Sequence, residues 1–222
     1  QIAKTRGDAA MCCAMYLGYC LDEEAHRLRE VLDWCDRARD ELSRLGDPGS
    51  RIHLLRVAFA EANLWNVARK SKAGHIGRLA GAAQARDVLR SALCGYLDVD
   101  DLESSRLVER VAEHIAGPRL RGRNVVVRIL NLLSELCYEL GKHAESEDWL
   151  DIIGRAAHDP VSRWHRELTR AVISHNSTER IRTLERVLST FGFDAFDRIP
   201  ISQQQRLVGR FAFLAGEVSR AL

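Results

Sequence analysis

Apolar residues recur every three or four positions along most of this chain, and no segment alternates convincingly between apolar and polar residues. The first pattern is typical of helices that bury one face, whereas the second is typical of β-strands. The pattern therefore predicts an all-helical protein. The first three predicted helices cover about residues 8–21, 23–45 and 50–69. A fourth ends at about residue 96, a fifth covers about residues 101–115, and two more form a pair within residues 124–160. The last three cover about residues 161–174, 177–191 and 202–222.

Glycine, proline and capping residues separate these helices. Residues 46–49 (Gly-Asp-Pro-Gly) stop one helix, and Ser50 is predicted to cap the next. Asn176 and Glu179 have the spacing of a capping box, in which side-chain oxygens accept hydrogen bonds from the free N–H groups at a helix start. Short links between long helices favour antiparallel helix pairs within one domain that covers residues 1–222.

The clearest helix pair occupies residues 124–160. Its apolar residues fall at helical spacing, first on one helix and then on the next: Leu130, Leu133, Cys137, Leu150 and Ile153. Gly141 stands between the two helices, where the first needs a residue that tolerates a positive φ. Pro160 stands where the second helix must stop.

Small residues on this pair extend the pattern. Ser134 and Ser146 lie where two helices would approach closely, and the larger apolar residues would fill the space between neighbouring pairs. With these positions, residues 124–160 resemble a tetratricopeptide (TPR) repeat. Cys137 and Leu150 stand where the repeat usually has aromatic residues. The resemblance implies a solenoid of stacked helix pairs that binds peptides or partner proteins; a helical bundle without repeats is the alternative.

Composition narrows the classes of protein. The chain has 222 residues, 46% of them hydrophobic and 29% charged, which is ordinary for a globular protein with a sizeable core. No apolar run approaches the roughly 18–20 residues that a membrane span needs. A net charge of +2 does not by itself indicate a nucleic-acid binder. Because the chain begins with Gln1, we expect either a processed protein or a piece of a longer one.

The six cysteines lie within apolar helical segments rather than in cysteine-rich loops. A chain of this length can build a core without disulfides. We therefore interpret Cys12, Cys13, Cys20, Cys35, Cys94 and Cys137 as reduced core thiols, which favours a cytoplasmic location.

No motif for catalysis or for metal binding is present. The His and Cys residues lack the close spacing of zinc ligands, and no nucleophile stands in a Gly-x-Ser-x-Gly turn. The paired carboxylates lie at predicted helix starts, where they complement the helix dipole. We predict no enzyme activity, no cofactor and no metal.

Two sets of residues are candidates for binding. Asn63, Trp65 and Asn66 would grip a peptide backbone if they faced solvent on a concave surface, as carboxamides do in TPR proteins. The second set consists of basic residues around two predicted loops, 70–77 and 117–124: Arg69, Lys70, Lys72, Arg78, Arg119, Arg121 and Arg123. If both loops lie on the same side, their guanidinium groups would form an anion-binding patch.

These candidates give two functional hypotheses. The first is a non-catalytic helical scaffold that binds a protein or peptide, as the sensing or regulatory part of a larger protein. The alternative is a helical protein that associates with nucleic acid through the Arg-rich loops. The two differ in salt dependence, because contacts to phosphates release counterions on binding.

Overall fold

The computed structural model describes residues 25–68, 77–99, 104–116, 122–156, 160–174 and 176–190, together with Val208, Phe211, Ala212 and Gly216. Within these residues there are eight helices and no strand, so the prediction of an all-α fold is confirmed. The helices are α1 (Ala25–Leu45), α2 (Pro48–Ala68), α3 (Arg78–Leu97), α4 (Ser104–Ala116), α5 (Arg123–Glu139), α6 (His143–Ala156), α7 (Pro160–Ile173) and α8 (Ser177–Thr190). The predicted helix at 8–21 lies outside the described residues.

The capping residue of α2 is Asp47, and the prediction of Ser50 was wrong. The Asp47 carboxylate accepts hydrogen bonds from the backbone N–H groups of Gly49 and Ser50, at 2.9 and 3.2 Å. Proline is favoured at the first helical position because its missing N–H would have no partner there, so α2 begins at Pro48, earlier than predicted.

At the start of α8 the prediction of a capping residue is confirmed. Asn176 Oδ1 accepts hydrogen bonds from the N–H groups of Thr178 and Glu179, at 3.0 and 3.3 Å. The Glu179 carboxylate, however, accepts a hydrogen bond from the Ser174 hydroxyl rather than one from the Asn176 N–H. The cap is therefore a shared network of three side chains.

The first helix of the α5–α6 pair ends at a glycine with a positive φ, as predicted. Gly141 has a φ of +74°, and the N–H of Lys142 donates to the carbonyl of Cys137 at 2.8 Å. This bond satisfies a carbonyl that the end of the helix would otherwise leave unpaired. Pro160 does not close α6, which ends at Ala156; it is the first residue of α7.

Small residues bring α5 and α6 close together, as predicted. The Ser146 hydroxyl donates to the backbone carbonyl of Ser134 at 2.7 Å, and both serines are completely buried. Ser134 in turn donates to the carbonyl of Asn131, whose side chain accepts a hydrogen bond from Thr169 of α7 at 3.3 Å. A buried polar chain thus joins α5, α6 and α7.

Two hydrophobic clusters hold α1 to α6 together. The larger one draws on α2 to α6 and includes all five of the apolar residues predicted to share a face in the α5–α6 pair. The smaller one joins only α1 and α2, through Val31, Cys35, Ala38, Leu42, Val57, Ala60 and Leu64. Among the described helix pairs with substantial contact, α1 packs against α2 alone. It therefore lies at one edge of the described helices, as does α8, which packs against α7 alone.

The direction of α5 follows from its contacts with α3. A Cβ placed on Gly122, just before α5, would lie 3.8 Å from Tyr96 Oη near the end of α3. Beyond the other end of α5, Glu145 contacts Arg86 and Arg90 in the middle of α3. Helices α3 and α5 therefore run antiparallel. In the described part of the chain, no helix is both long enough and apolar enough to cross a membrane.

Candidate binding cleft

A cleft of about 460 Å³ lies between α1, α2 and α3. Each of the three helices lines the cleft with a stripe of residues three or four positions apart, because residues at this spacing share one face of a helix. The stripe from α1 contains Arg39 and Ser43, and that from α2 contains Arg51, Leu54, Ala58 and Glu61. The stripe from α3 contains Gln84, Asp87, Val88, Ser91, Ala92, Gly95 and Tyr96.

Small side chains keep this space open. Ala58, Ser91, Ala92 and Gly95 stand where larger residues would fill the gap between α2 and α3. A Cβ added to Gly95 would meet no atom within 4 Å. The buried and half-buried lining residues, which form the floor, are mainly apolar, and the exposed ones, which form the rim, are mainly polar. This combination is typical of binding sites for small molecules or peptide segments.

An ion pair forms one wall of the cleft. Arg39 of α1 pairs with Asp36 at 2.9 Å and also donates to the carboxylate of Glu61 on α2. Glu61 is only 7% exposed, and burial raises its pKa although the charge of Arg39 acts in the opposite direction. The wall thus depends on α1 and α2 remaining side by side.

The rim of the cleft carries both signs of charge. Asp87 accepts a hydrogen bond from Arg86 at 3.1 Å and is otherwise exposed. Arg51 is exposed and forms no ion pair with the described part of the chain. Gln84, Ser43 and Ser91 add neutral donors and acceptors. This mixture suits the alternating donors and acceptors of a peptide backbone.

Behind α3, on the side of α6, a carboxylate binds two arginines. Glu145 Oε1 accepts a hydrogen bond from Arg90 at 2.6 Å, and Glu145 Oε2 accepts one from Arg86 at 2.7 Å. Burial acts to raise the pKa of Glu145, but the hydrogen bonds and charges of both arginines together lower it below its ordinary value. The arginines come from α3 and the carboxylate from α6, so this cluster holds α3 against α6. It thereby fixes the position of α3, which lines one side of the cleft.

The three residues predicted to grip a peptide do not form an exposed set. Trp65 is half-buried and packs against the larger hydrophobic cluster. The Asn63 amide donates to the carbonyl of Phe59, one turn back on α2, at 2.6 Å. Asn66 is half-buried as well and has interactions of its own. Peptide binding by this set stays a prediction, and its premise of a solvent-facing Trp65 is not met.

The predicted basic patch falls mostly outside the described residues, since Arg69, Lys70, Lys72, Arg119 and Arg121 are not among them. Arg78 is the first residue of α3, and Arg123 is the first residue of α5. Because α3 and α5 run antiparallel, these two backbone positions lie near opposite ends of α3, roughly 25 Å apart at 1.5 Å per residue. The two loops therefore adjoin opposite ends of α3, and anion binding by these residues stays a prediction.

The described cysteines behave as the sequence indicated. Cys35, Cys94 and Cys137 are buried and form no disulfide, which confirms the prediction for these three; Cys12, Cys13 and Cys20 lie outside the described residues. Burial, reinforced by the nearby Glu145 carboxylate, raises the pKa of Cys137 to about 12. Such a thiol is a poor nucleophile at neutral pH. Within the described residues, no three His, Cys, Asp or Glu side chains are grouped so that they could hold a metal ion.

The cleft was not among the sites predicted from the sequence. The available signal was the run of small residues at helical spacing on α3, with Ala58 opposite on α2. Comparison of the chain with protein-family models, with curated proteins and with solved structures gives no match.

Proposed function

We propose that this protein is a non-catalytic helical scaffold that binds a peptide segment of a partner protein in the cleft between α1, α2 and α3. The observation that carries the proposal is the cleft itself, with its apolar floor and its rim of mixed charge. A volume of about 460 Å³ lies within the range of roughly 300–1,000 Å³ that is usual for ligand sites in proteins.

The packing of the later helices supports a scaffold of the TPR type. Helices α5 and α6 form one antiparallel pair and α7 and α8 another, and α7 packs against both members of the first pair. Stacking of successive pairs is how helical solenoids build an extended binding surface. Buried reduced thiols fit a reducing compartment such as the cytoplasm.

The test is selection of peptides from a displayed random library on the full chain, followed by affinity measurement with labelled peptides. We expect enriched peptides that share a motif. In the variant Ser91→Trp the indole would occupy the cleft, so we expect at least about a tenfold loss of affinity, which corresponds to about 1.4 kcal/mol.

Ser189→Trp on α8 is the matched control, because Ser189 is equally an exposed helical serine but lies away from the cleft. Circular dichroism would verify that both variants fold. The proposal is wrong if no peptide is enriched, or if Ser91→Trp binds the selected peptides as well as Ser189→Trp does.

The nucleic-acid alternative is tested separately. Replacement of Arg119, Arg121 and Arg123 by alanine would abolish retention on a polyanion column if that loop binds phosphates. Peptide binding in the cleft should survive this change, because the cleft is lined by other residues.

A further inference from the structure

Two arginines reach solvent from the middle of α2 and of α5. Between residues 52 and 66 of α2, Arg56 is the one exposed residue. Between residues 125 and 139 of α5, Arg128 is the one exposed residue. The middle of each of these two helices thus offers a single guanidinium group to solvent, among buried and half-buried neighbours.

The packing of the helices places these two residues at about the same level. A Cβ on Gly122, before α5, would lie 3.5 Å from Ile52 near the start of α2. Helix α2 pairs antiparallel with α3, and α3 runs antiparallel to α5, so α2 and α5 run in the same direction. Arg56 follows Ile52 by four residues and Arg128 follows Gly122 by six, which are rises of about 6 and 9 Å from this common start.

Neither arginine has an acidic counter-charge on its own helix nearby. No Asp or Glu occurs within one turn of Arg56, in residues 52–60, or within one turn of Arg128, in residues 124–132. Glu61, the next acid on α2, is paired with Arg39. Among the described residues, neither Arg56 nor Arg128 takes part in an ion pair.

The electrostatics agree with this placement. The covered residues around Arg128 partly desolvate its guanidinium group, and this effect first, and secondly the like charge of Arg56, lower the pKa of Arg128 below its ordinary value. Two guanidinium groups that repel each other at a partly desolvated surface gain most from a ligand that neutralises both. Their planar donors match the oxygens of a phosphoryl group, which can accept from each in a bidentate manner.

We propose that Arg56 and Arg128 together form an anion site for a phosphoryl dianion, distinct from the cleft between α1, α2 and α3. A carboxylate carries one negative charge and would leave the second arginine uncompensated. The site therefore prefers phosphate to carboxylate, whether the phosphate is free or attached to a serine side chain.

The test uses the full chain labelled with ¹⁵N-arginine, followed by NMR through its Nε–Hε signals. Inorganic phosphate is titrated at pH 7, against sodium chloride at equal ionic strength. We expect saturable shifts of the Arg56 and Arg128 signals with phosphate and none of that size with chloride. In Arg56→Gln and in Arg128→Gln the phosphate affinity should fall about tenfold or more.

Arg182→Gln is the matched control, because Arg182 is an exposed arginine on α8 without a described ion pair. Its loss should leave the phosphate affinity unchanged. Arg56→Lys and Arg128→Lys keep the charge but not the bidentate geometry, so each should weaken binding less than glutamine does. Equal shifts in phosphate and in chloride, or an equal loss of affinity in Arg182→Gln, overturn the proposal.

Parallel titrations separate the sources of the phosphoryl group. Tighter binding of phosphoserine than of inorganic phosphate supports a site for a phosphorylated side chain, and the reverse supports a site for the free anion. Glutamate that binds as tightly as phosphate overturns the preference for a dianion.

Discussion

Glu145 and Glu61 are both largely buried carboxylates, yet their surroundings shift their pKa values in opposite directions. Two arginines lower the pKa of Glu145, so its ionised form stabilises the fold at neutral pH. Burial raises the pKa of Glu61 above its ordinary value, so its ionised form costs stability at neutral pH. Because a pKa that differs between the folded and unfolded states makes stability depend on pH, the two carboxylates act in opposite ways. The stabilisation by ionised Glu145 is lost as the pH falls through its folded pKa, whereas the destabilisation by ionised Glu61 disappears on acidification.

We expect Glu145→Gln to lower the free energy of unfolding at pH 7 by about 3 kcal/mol, because Arg90 is only 5% exposed and would lose its counter-charge. The difference from the wild type should shrink as the pH falls below the ordinary carboxyl pKa of 4.5, since the wild-type carboxylate then becomes protonated. Urea denaturation at a series of pH values measures both effects. Glu61→Gln is the control, and the wild type should gain stability relative to it on acidification. A loss of stability in Glu145→Gln that does not change with pH would contradict this account.

Replacement by alanine should destabilise the protein at one glycine and stabilise it at another. Gly141 has a φ of +74°, where an added Cβ is strained, so Gly141→Ala should destabilise the protein by about 1 kcal/mol. Gly95 lies within helix α3 without a positive φ, and an added Cβ would meet no atom within 4 Å. Gly95→Ala should therefore stabilise the protein by about 0.5–1 kcal/mol. Thermal denaturation of both variants tests the pair, and an unchanged midpoint for Gly141→Ala would count against the role of this glycine.

At the scale of helices, the contact between α5 and α6 depends on a serine that is both small and hydrogen-bonded. Ser146→Ala would keep the close approach but lose the bond to the Ser134 carbonyl, at a cost of about 1 kcal/mol. Ser146→Leu would in addition force the helices apart, at a total cost of about 3 kcal/mol. Chemical denaturation should rank the two variants in this order. Ser189→Leu on the exposed side of α8 should cost less than about 0.5 kcal/mol, and an equal cost at both positions would argue against close packing.

The α5–α6 pair could be predicted because its determinants are local in sequence. A glycine at the helix end, serines at the contact and a stripe of apolar residues all act within a few turns of each other. The cleft could not be predicted in the same way, because its walls come from three helices whose relative positions depend on long-range packing. Trp65 shows the same limit, since its position beside two asparagines did not reveal that it faces the larger core.

The direction of α3 relative to α5 is likewise a property of the tertiary fold. The sequence predicted short links and antiparallel neighbours but left open whether the two basic loops lie on the same side. Helix α4 lies between α3 and α5 in sequence but packs more closely with α6 than with α3. Helices α3 and α5 therefore become antiparallel neighbours, and the first residues of these two helices lie at opposite ends of the pair.

At the scale of the whole molecule, the two hydrophobic clusters predict unfolding in stages. Helix α1 is attached through the smaller cluster, so it should open at a lower free energy than the larger core. We expect Leu42→Ala to speed hydrogen exchange in α1 while leaving the amides of α5 protected. Leu130→Ala should lower the stability of the larger core by about 3 kcal/mol. Exchange rates for α1 and α5 that respond equally to Leu42→Ala would contradict staged opening.

The buried thiols make this sequence of events observable without any engineered probe. Cys35 belongs to the smaller cluster, whereas Cys94 and Cys137 belong to the larger one. An alkylating reagent added to the native protein can reach each sulfur only when its own part of the fold opens. Mass spectrometry of the digested protein should therefore detect modification of Cys35 well before that of Cys137, and the ratio of the two rates gives the difference in opening free energy between the two clusters.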